Sequence, residues 1–154
     1  MIRIGLVGDI GSGKSYIAKN FGYPVFNADI EVGKLYKKDK KIFNKLKKTL
    51  PKFFNSFPID KNDVTNAILS NKNNLNKIIK IVHFEIRKKL STFLNKNKNK
   101  KIVILDIPLL LENKINKKND ILVFVQSRKL DILKRLEKRV NFNEKLISKF
   151  KNIQ

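Results

Sequence analysis

The sequence predicts an α/β fold, a doubly wound parallel sheet with a helical lobe inserted into it. Three observations predict it. Gly8-Asp9-Ile10-Gly11-Ser12-Gly13-Lys14-Ser15 satisfies G-x-x-x-x-G-K-[ST], and it stands between an apolar run at residues 2–7 and a helix-like segment at residues 16–21. Continuous apolar runs recur at residues 101–106 and 121–125, the pattern of strands buried on both faces of a parallel sheet. Helical patterns separate the runs, as crossover connections between parallel strands require.

Each element follows from its residues. Pro24-Val25-Phe26-Asn27-Ala28, closing on Asp29, reads as a second strand. Residues 30–50 read as helix, with Ile42, Leu46 and Leu50 on one face and lysines on the other. Pro51 and Pro58 break that pattern. Asp60-Lys61-Asn62-Asp63 opens a helix running to Leu69, because Asp and Asn accept from the free N–H groups of a first turn. Leu75, Ile78, Ile79, Val82, Ile86, Leu90 and Phe93 mark a long amphipathic helix. Residues 95–101 form a polar turn into the strand that ends at Asp106. Residues 128–139 read as helix with Leu130, Leu133 and Leu136 inward, and the pattern is helical again from Phe142. The interval from 30 to 100 is too long for a plain crossover. A single domain over residues 1–154 is therefore expected, with a helical lobe at about 60–95 and a lid region at about 128–154.

Composition narrows the class. The chain has 154 residues, 42% of them hydrophobic, enough for one α/β core, and no apolar run reaches the ~18 residues of a membrane span. The start enters a strand directly, without signal-peptide architecture. Cysteine is absent, which excludes disulfides and thiolate metal sites and fits a reducing cytoplasm. The net charge of +22 raises nucleic-acid binding as a function. Against it, the excess is nearly all lysine spread over the whole chain, and no aromatic residues interleave with a basic stripe. The expectation is no specific nucleic acid, no membrane, and a monomer or weak homo-oligomer. The charge would still steer anionic substrates inward at low salt.

The chemistry-bearing residues point to phosphoryl transfer. Gly8, Ile10, Gly11, Ser12 and Gly13 form a cradle whose N–H groups face a phosphate. Lys14 is the point charge expected between β- and γ-phosphates, and Ser15 the expected Mg²⁺ ligand. Asp9 places a carboxylate in that loop, so it must turn away from the phosphates or weaken their binding. Asp106, ending a buried strand, sits where P-loop proteins keep an acid that holds Mg²⁺, or it caps the next turn. Asp29 can orient or deprotonate a substrate hydroxyl, or simply cap the next helix; spacing alone leaves both open. Arg135 and Arg139, one turn apart, can close on the transferring phosphoryl group or form a solvated basic face. His83, the only histidine, lies on an apolar helix face, where a core role competes with a catalytic one.

Together these residues resemble the dephospho-CoA kinase family, on a P-loop kinase fold. Residues 4–15 are similar to its TGGIGSGKS, and Val25-Phe26-Asn27-Ala28-Asp29 to its V-I-D-A-D. Ile81-Val82-His83-Phe84-Glu85-Ile86-Arg87 resembles I-x-HP-x-[IV]-R, Asp106-Ile107-Pro108-Leu109-Leu110-Leu111-Glu112 resembles D-[IV]-P-L-L-F-E, and Leu133-Lys134-Arg135-Leu136-Glu137-Lys138-Arg139 resembles L-x-R-x-x-x-R. The resemblance implies transfer of the ATP γ-phosphoryl group to the ribose 3′-hydroxyl of dephospho-CoA, giving coenzyme A and ADP. It implies Asp29 as the base, and His83, Arg87, Pro108 and Leu109 on the acceptor side.

The departures are specific. Asp9 stands where the family has Gly, Asn27 where it has Asp, Phe84 where it has Pro, and Tyr16 where it has Thr. The family continues past a residue like Gln154 into an Arg-bearing lid helix and a final strand reading A-D-x-V-I-x-N. That edge strand is expected to be missing, which leaves an exposed apolar edge beside residues 121–125. A truncated, inactive nucleotide-binding remnant is therefore one alternative. Another P-loop nucleotide or small-molecule kinase and a nucleic-acid-coupled NTPase are the others.

Overall fold

The computed structural model describes residues 1–108 and 115–138. Leu109, Arg139 and the helix expected from Phe142 lie outside them. Four parallel strands form one sheet in the order β2-β3-β1-β4: β1 (Ile2–Val7), β2 (Val25–Asn27), β3 (Ile102–Asp106) and β4 (Ile121–Phe124). The helices are α1 (Lys14–Asn20), α2 (Ala28–Lys38), α3 (Lys40–Thr49), α4 (Lys61–Ser70), α5 (Lys72–Lys96) and α6 (Lys129–Glu137). The chain gathers into two compact units, Asp29–Thr92 and the remainder.

The sheet unit is built on β1 and β3. Val103, Ile104 and Leu105 are fully buried, as the unbroken apolar run predicts for a central strand. Leu6, Ala18 and Ile104 form a cluster against which Ile4, Phe21, Val25 and Val123 pack, so α1 covers one face of the sheet. Phe26 and Phe93 add a tilted ring contact at 5.5 Å. Arg3 is buried on β1 and pairs with Asp120 at 3.0 Å. The strand expected at 121–125 is present as β4, but it is not buried on both faces. Ile121, Leu122 and Phe124 are 50%, 42% and 66% exposed, because among the described strands β4 pairs only with β1 and forms the edge.

In the helical unit, Ile42, Leu46 and Leu50 are buried together as the spacing predicts. The single helix expected over 30–50 is two. Asp39 takes an extended conformation and its carboxylate accepts from Lys41 N at 2.9 Å and Ile42 N at 3.1 Å, so it caps a new helix rather than continuing the old one. Asp60 caps α4 in the same way, at the expected position. Buried Asn74 donates to Ala67 O at 2.9 Å and Ser70 Oγ at 3.1 Å, tying α5 to α4 without an orphaned amide.

Candidate active site

The phosphate loop lies between β1 and α1, where one of the sheet's two central strands delivers it. Gly8 has φ +138°, and a Cβ there would drive into the Val125 carbonyl oxygen. Gly13 is left-handed at φ +100° and its carbonyl accepts from Tyr16 N and Ile17 N, so it both ends the loop and starts the helix. Lys14 Nζ donates to the carbonyls of Gly8 at 2.6 Å and Asp9 at 2.7 Å. Its ammonium therefore bridges the start of the loop with neutral acceptors, which phosphate oxygens would outcompete. Asp9 and Tyr16 are exposed and Ile10 is half-buried. Ser12 is buried, and among the described residues its hydroxyl has no hydrogen-bond partner.

Register assembles the second part of the site. β2 pairs with β3 so that Asn27 lies beside Asp106, both at the carboxyl ends of their strands. The Asn27 amide donates to Asp106 Oδ2 at 2.6 Å and approaches Ser15 Oγ at 3.5 Å. Ser15 from the loop, Asn27 from β2 and buried Asp106 from β3 thus meet in one cluster. Among the described residues no group of three His, Cys, Asp or Glu side chains could hold a metal. The donors are one hydroxyl and one carboxylate, both oxygen. That set fits Mg²⁺, a hard ion commonly held by one or two protein oxygens together with substrate phosphates.

The segment after β4 seats the loop from behind. Gly11 lies against Ile132 and Leu136 of α6. Arg135 Nη1 donates to Gly11 O and Ser12 O, each at 3.2 Å, and to Ser127 Oγ at 3.1 Å. Ser127 Oγ donates to Ser12 O at 2.7 Å. The inward face of α6 is Ile132 and Leu136, while Leu130 and Leu133 are 71% and 48% exposed, which corrects the expected face. The reason is phase. Ile132 and Leu136 are four apart and share the stripe over Gly11, whereas Leu130 and Leu133 fall on another face. Ser127 belongs to no motif. Its only signal is its place between a strand end and a helix start, so sequence reasoning missed it.

The other expected residues lie along the chain as follows. Asp29, in the first turn of α2, is exposed. His83 and Arg87 stand one turn apart on α5, His83 half-buried and Arg87 exposed. Burial, and secondarily the charge of Arg87, hold the His83 imidazole below its usual 6.5 and favour the neutral ring. Pro108 follows β3, half-buried.

Comparison with known proteins gives a consistent result. A family model described as dephospho-CoA kinase matches residues 2–154. A dephospho-CoA kinase of Wolbachia sp. subsp. Brugia malayi (strain TRS) is 36% identical over 148 residues, covering 93% of this chain and 76% of the relative. A dephospho-CoA kinase of Bartonella quintana (strain Toulouse) is 33% identical over 150 residues, with 94% and 76% covered. Among solved structures, TT1252 from Thermus thermophilus superposes with a TM-score of 0.78 at 26% identity, covering 99% of this chain and 80% of that one. A dephospho-CoA kinase from Campylobacter jejuni shares the fold, with a TM-score of 0.58 at 22% identity and coverage of 99% and 79%.

Proposed function

The chain belongs to the dephospho-CoA kinase family of ATP-dependent phosphotransferases, and we propose that its own residues divide the reaction as follows. The loop N–H groups of Gly8 to Ser15, including those of Ile10, Gly11 and Ser12, bind the ATP phosphates, with Tyr16 beside the nucleotide. Lys14 exchanges the Gly8 and Asp9 carbonyls for β- and γ-phosphate oxygens. Ser15 and Asp106 would hold Mg²⁺, and Asn27 donates to Oδ2 of that carboxylate. When bound, the metal supplies neutralisation of charge on the phosphate oxygens.

Asp29 accepts the proton of the ribose 3′-hydroxyl of dephospho-CoA as its oxygen attacks the γ-phosphorus. The bond from that phosphorus to the β–γ bridging oxygen breaks and ADP leaves. Arg135 and Arg139 balance the negative charge around the phosphates, and His83, Arg87, Pro108 and Leu109 contact the acceptor. The lobe at about 60–95 serves the acceptor and the lid at about 128–154 serves ATP, within one kinase domain. No helix among the described residues is long and apolar enough to cross a membrane, and the reading is of a cytoplasmic monomer or weak homo-oligomer.

The observation that carries the reading is the cluster of Ser15, Asn27 and Asp106 beside a complete phosphate loop. Mass spectrometry of the protein with ATP, Mg²⁺ and dephospho-CoA tests it, run beside Lys14→Ala and Asp29→Asn. Coenzyme A from the parent, reduced at least about a hundredfold in both variants, is the expected result. ATP binding without coenzyme A would overturn the catalytic reading.

A further inference from the structure

We infer that Ser127 is a positioning residue for the phosphate cradle: it fixes the peptide plane between Ser12 and Gly13, and through that plane the direction of the Gly13 N–H. The inference rests on the kinase reading only in taking ATP as the ligand. It begins with the Ser12 carbonyl. That oxygen accepts from Ser127 Oγ at 2.7 Å and from Arg135 Nη1 at 3.2 Å, so two donors from the β4–α6 segment hold it on one side of the loop.

A trans peptide is planar, and its C=O and N–H point in opposite directions. The Ser12 carbonyl and the Gly13 N–H belong to the same peptide. Holding the oxygen toward Ser127 therefore aims the Gly13 N–H away from Ser127, to the opposite side of the loop. Gly13 is also pinned from its other peptide, where its carbonyl accepts from Tyr16 N at 3.0 Å and Ile17 N at 3.1 Å. Among the described residues no side chain caps α1 at Gly13, whose φ is +100°. The neighbouring Ser12 N–H is already turned inside the loop, donating to Asp9 O at 3.1 Å.

Ser127 does a second job with the same oxygen. It accepts from Arg135 Nη1 at 3.1 Å while donating to Ser12 O, so donor and acceptor functions of one hydroxyl are both used. Arg135 alone would still reach the Gly11 and Ser12 carbonyls, but at 3.2 Å each and from a long, rotatable side chain. The short hydroxyl on the strand-to-helix connection is the stiffer constraint. A cradle whose N–H groups are aimed before the ligand arrives binds without reorganisation, which is where affinity is gained.

The test is ATP affinity by calorimetry, without acceptor, for the parent, Ser127→Ala and Ser127→Thr, with thermal melts and KM and kcat for ATP on the same samples. Ser127→Ala should weaken ATP binding about tenfold and raise KM for ATP to match, with kcat changing less. Ser127→Thr keeps the hydroxyl and should restore affinity to within about threefold of the parent. Hydrogen exchange of the Gly13 amide in the ATP complex should accelerate in Ser127→Ala and return in Ser127→Thr. Parent-like ATP affinity in Ser127→Ala would overturn the inference. So would a loss that tracks a fall in melting temperature and that threonine leaves unrescued, since that is a packing defect. A parent that fails to bind ATP at all would instead overturn the kinase reading.

Discussion

The surroundings of the phosphate loop and the outer faces of the helical unit fix their polar groups by different means. Around the phosphate loop, Lys14, Ser127 and Arg135 all bond to main-chain carbonyls, and Asn27 bonds to a buried carboxylate. On α2, α3 and α5, polar side chains meet one another near solvent: Glu31 with Lys34 and Lys89, Glu85 with Lys45 and Lys88. Even Glu31, whose burial pushes its pKa up, ends below its usual value because those two lysines outweigh the burial. A side chain locked to backbone has one geometry, whereas a pair of surface side chains has many. The first arrangement is fixed in advance of any ligand, and the second contributes little to stability.

The largest expected difference between the units lies in their ion pairs. Arg3 and Asp120 in the sheet unit have side chains only 8% and 3% exposed, and Arg3 also donates to Ile115 O at 3.3 Å. Asp120→Ala leaves a buried guanidinium without its counter-charge and should cost about 3–5 kcal/mol. The Lys34 side chain, paired with Glu31 at 2.6 Å, is 57% exposed. Lys34→Ala should cost about 0.2–1 kcal/mol despite the shorter distance. Urea titration of the two variants checks the contrast. Equal losses would break it.

Glycine substitution sharpens the same contrast in sign. Gly8→Ala must place a Cβ at φ +138° against the Val125 carbonyl, at a cost of about 2–4 kcal/mol, and it should abolish measurable ATP binding. Gly33 lies inside α2 with open space around its Cβ position. Gly33→Ala should stabilise by roughly 0.5–1 kcal/mol, since alanine loses less backbone entropy in a helix. Thermal melts read both, and destabilisation by Gly33→Ala would show that α2 needs glycine for a reason its surroundings do not reveal.

Asn27→Asp tests how finely the sheet unit is poised. It replaces the amide that donates to Asp106 Oδ2 with a second carboxylate across the strand pair. Without divalent ions the variant should lose about 1–2 kcal/mol, through a lost hydrogen bond and like-charge repulsion. Mg²⁺ should recover most of that loss in the variant and change the parent's melting temperature less. Melts with and without Mg²⁺ decide it. Recovery that is equal in parent and variant would mean that the Asn27–Asp106 pair does not face the metal.

How legible these arrangements were depends on whether they are local. The phosphate loop is contiguous and its glycines act through backbone, so residues 8–15 announce its shape. Asp106 at the end of an unbroken apolar run was legible for the same reason, as were the Asp60 cap and the Ile42, Leu46, Leu50 stripe. Asp39 was missed although Asp60 was read, because no proline or glycine marked the break between two helical patterns. The apolar run at 121–125 by itself reads as buried on both faces, because such a run looks alike in the centre and at the edge of a sheet, and its exposed edge was legible only through the family resemblance. Ser127 joins Ser12 across 115 residues of chain, and no local pattern encodes so distant a bond. The inward face of α6 was misread because three leucines outweighed Ile132 in a stripe chosen by residue type rather than by phase.

The smallest effect, at His83, tests the helical unit by itself. As the only histidine it gives a single imidazole titration by NMR. Its pKa should fall below 6.5, chiefly from burial on α5 and secondarily from Arg87. Arg87→Gln should therefore raise the value only part of the way, because the larger cause remains. The sign for stability follows from linkage. A histidine depressed in the fold binds its proton more readily when unfolded, so its contribution is complete above the unfolded value of about 6.5 and is lost as pH falls toward the folded pKa. His83→Gln should flatten that part of the stability profile while leaving the profile above pH 7 unchanged. A folded pKa at or above 6.5 would require an acidic partner for the ring and would make this helix face as preorganised as the phosphate loop, removing the difference between the two units where it is most easily measured.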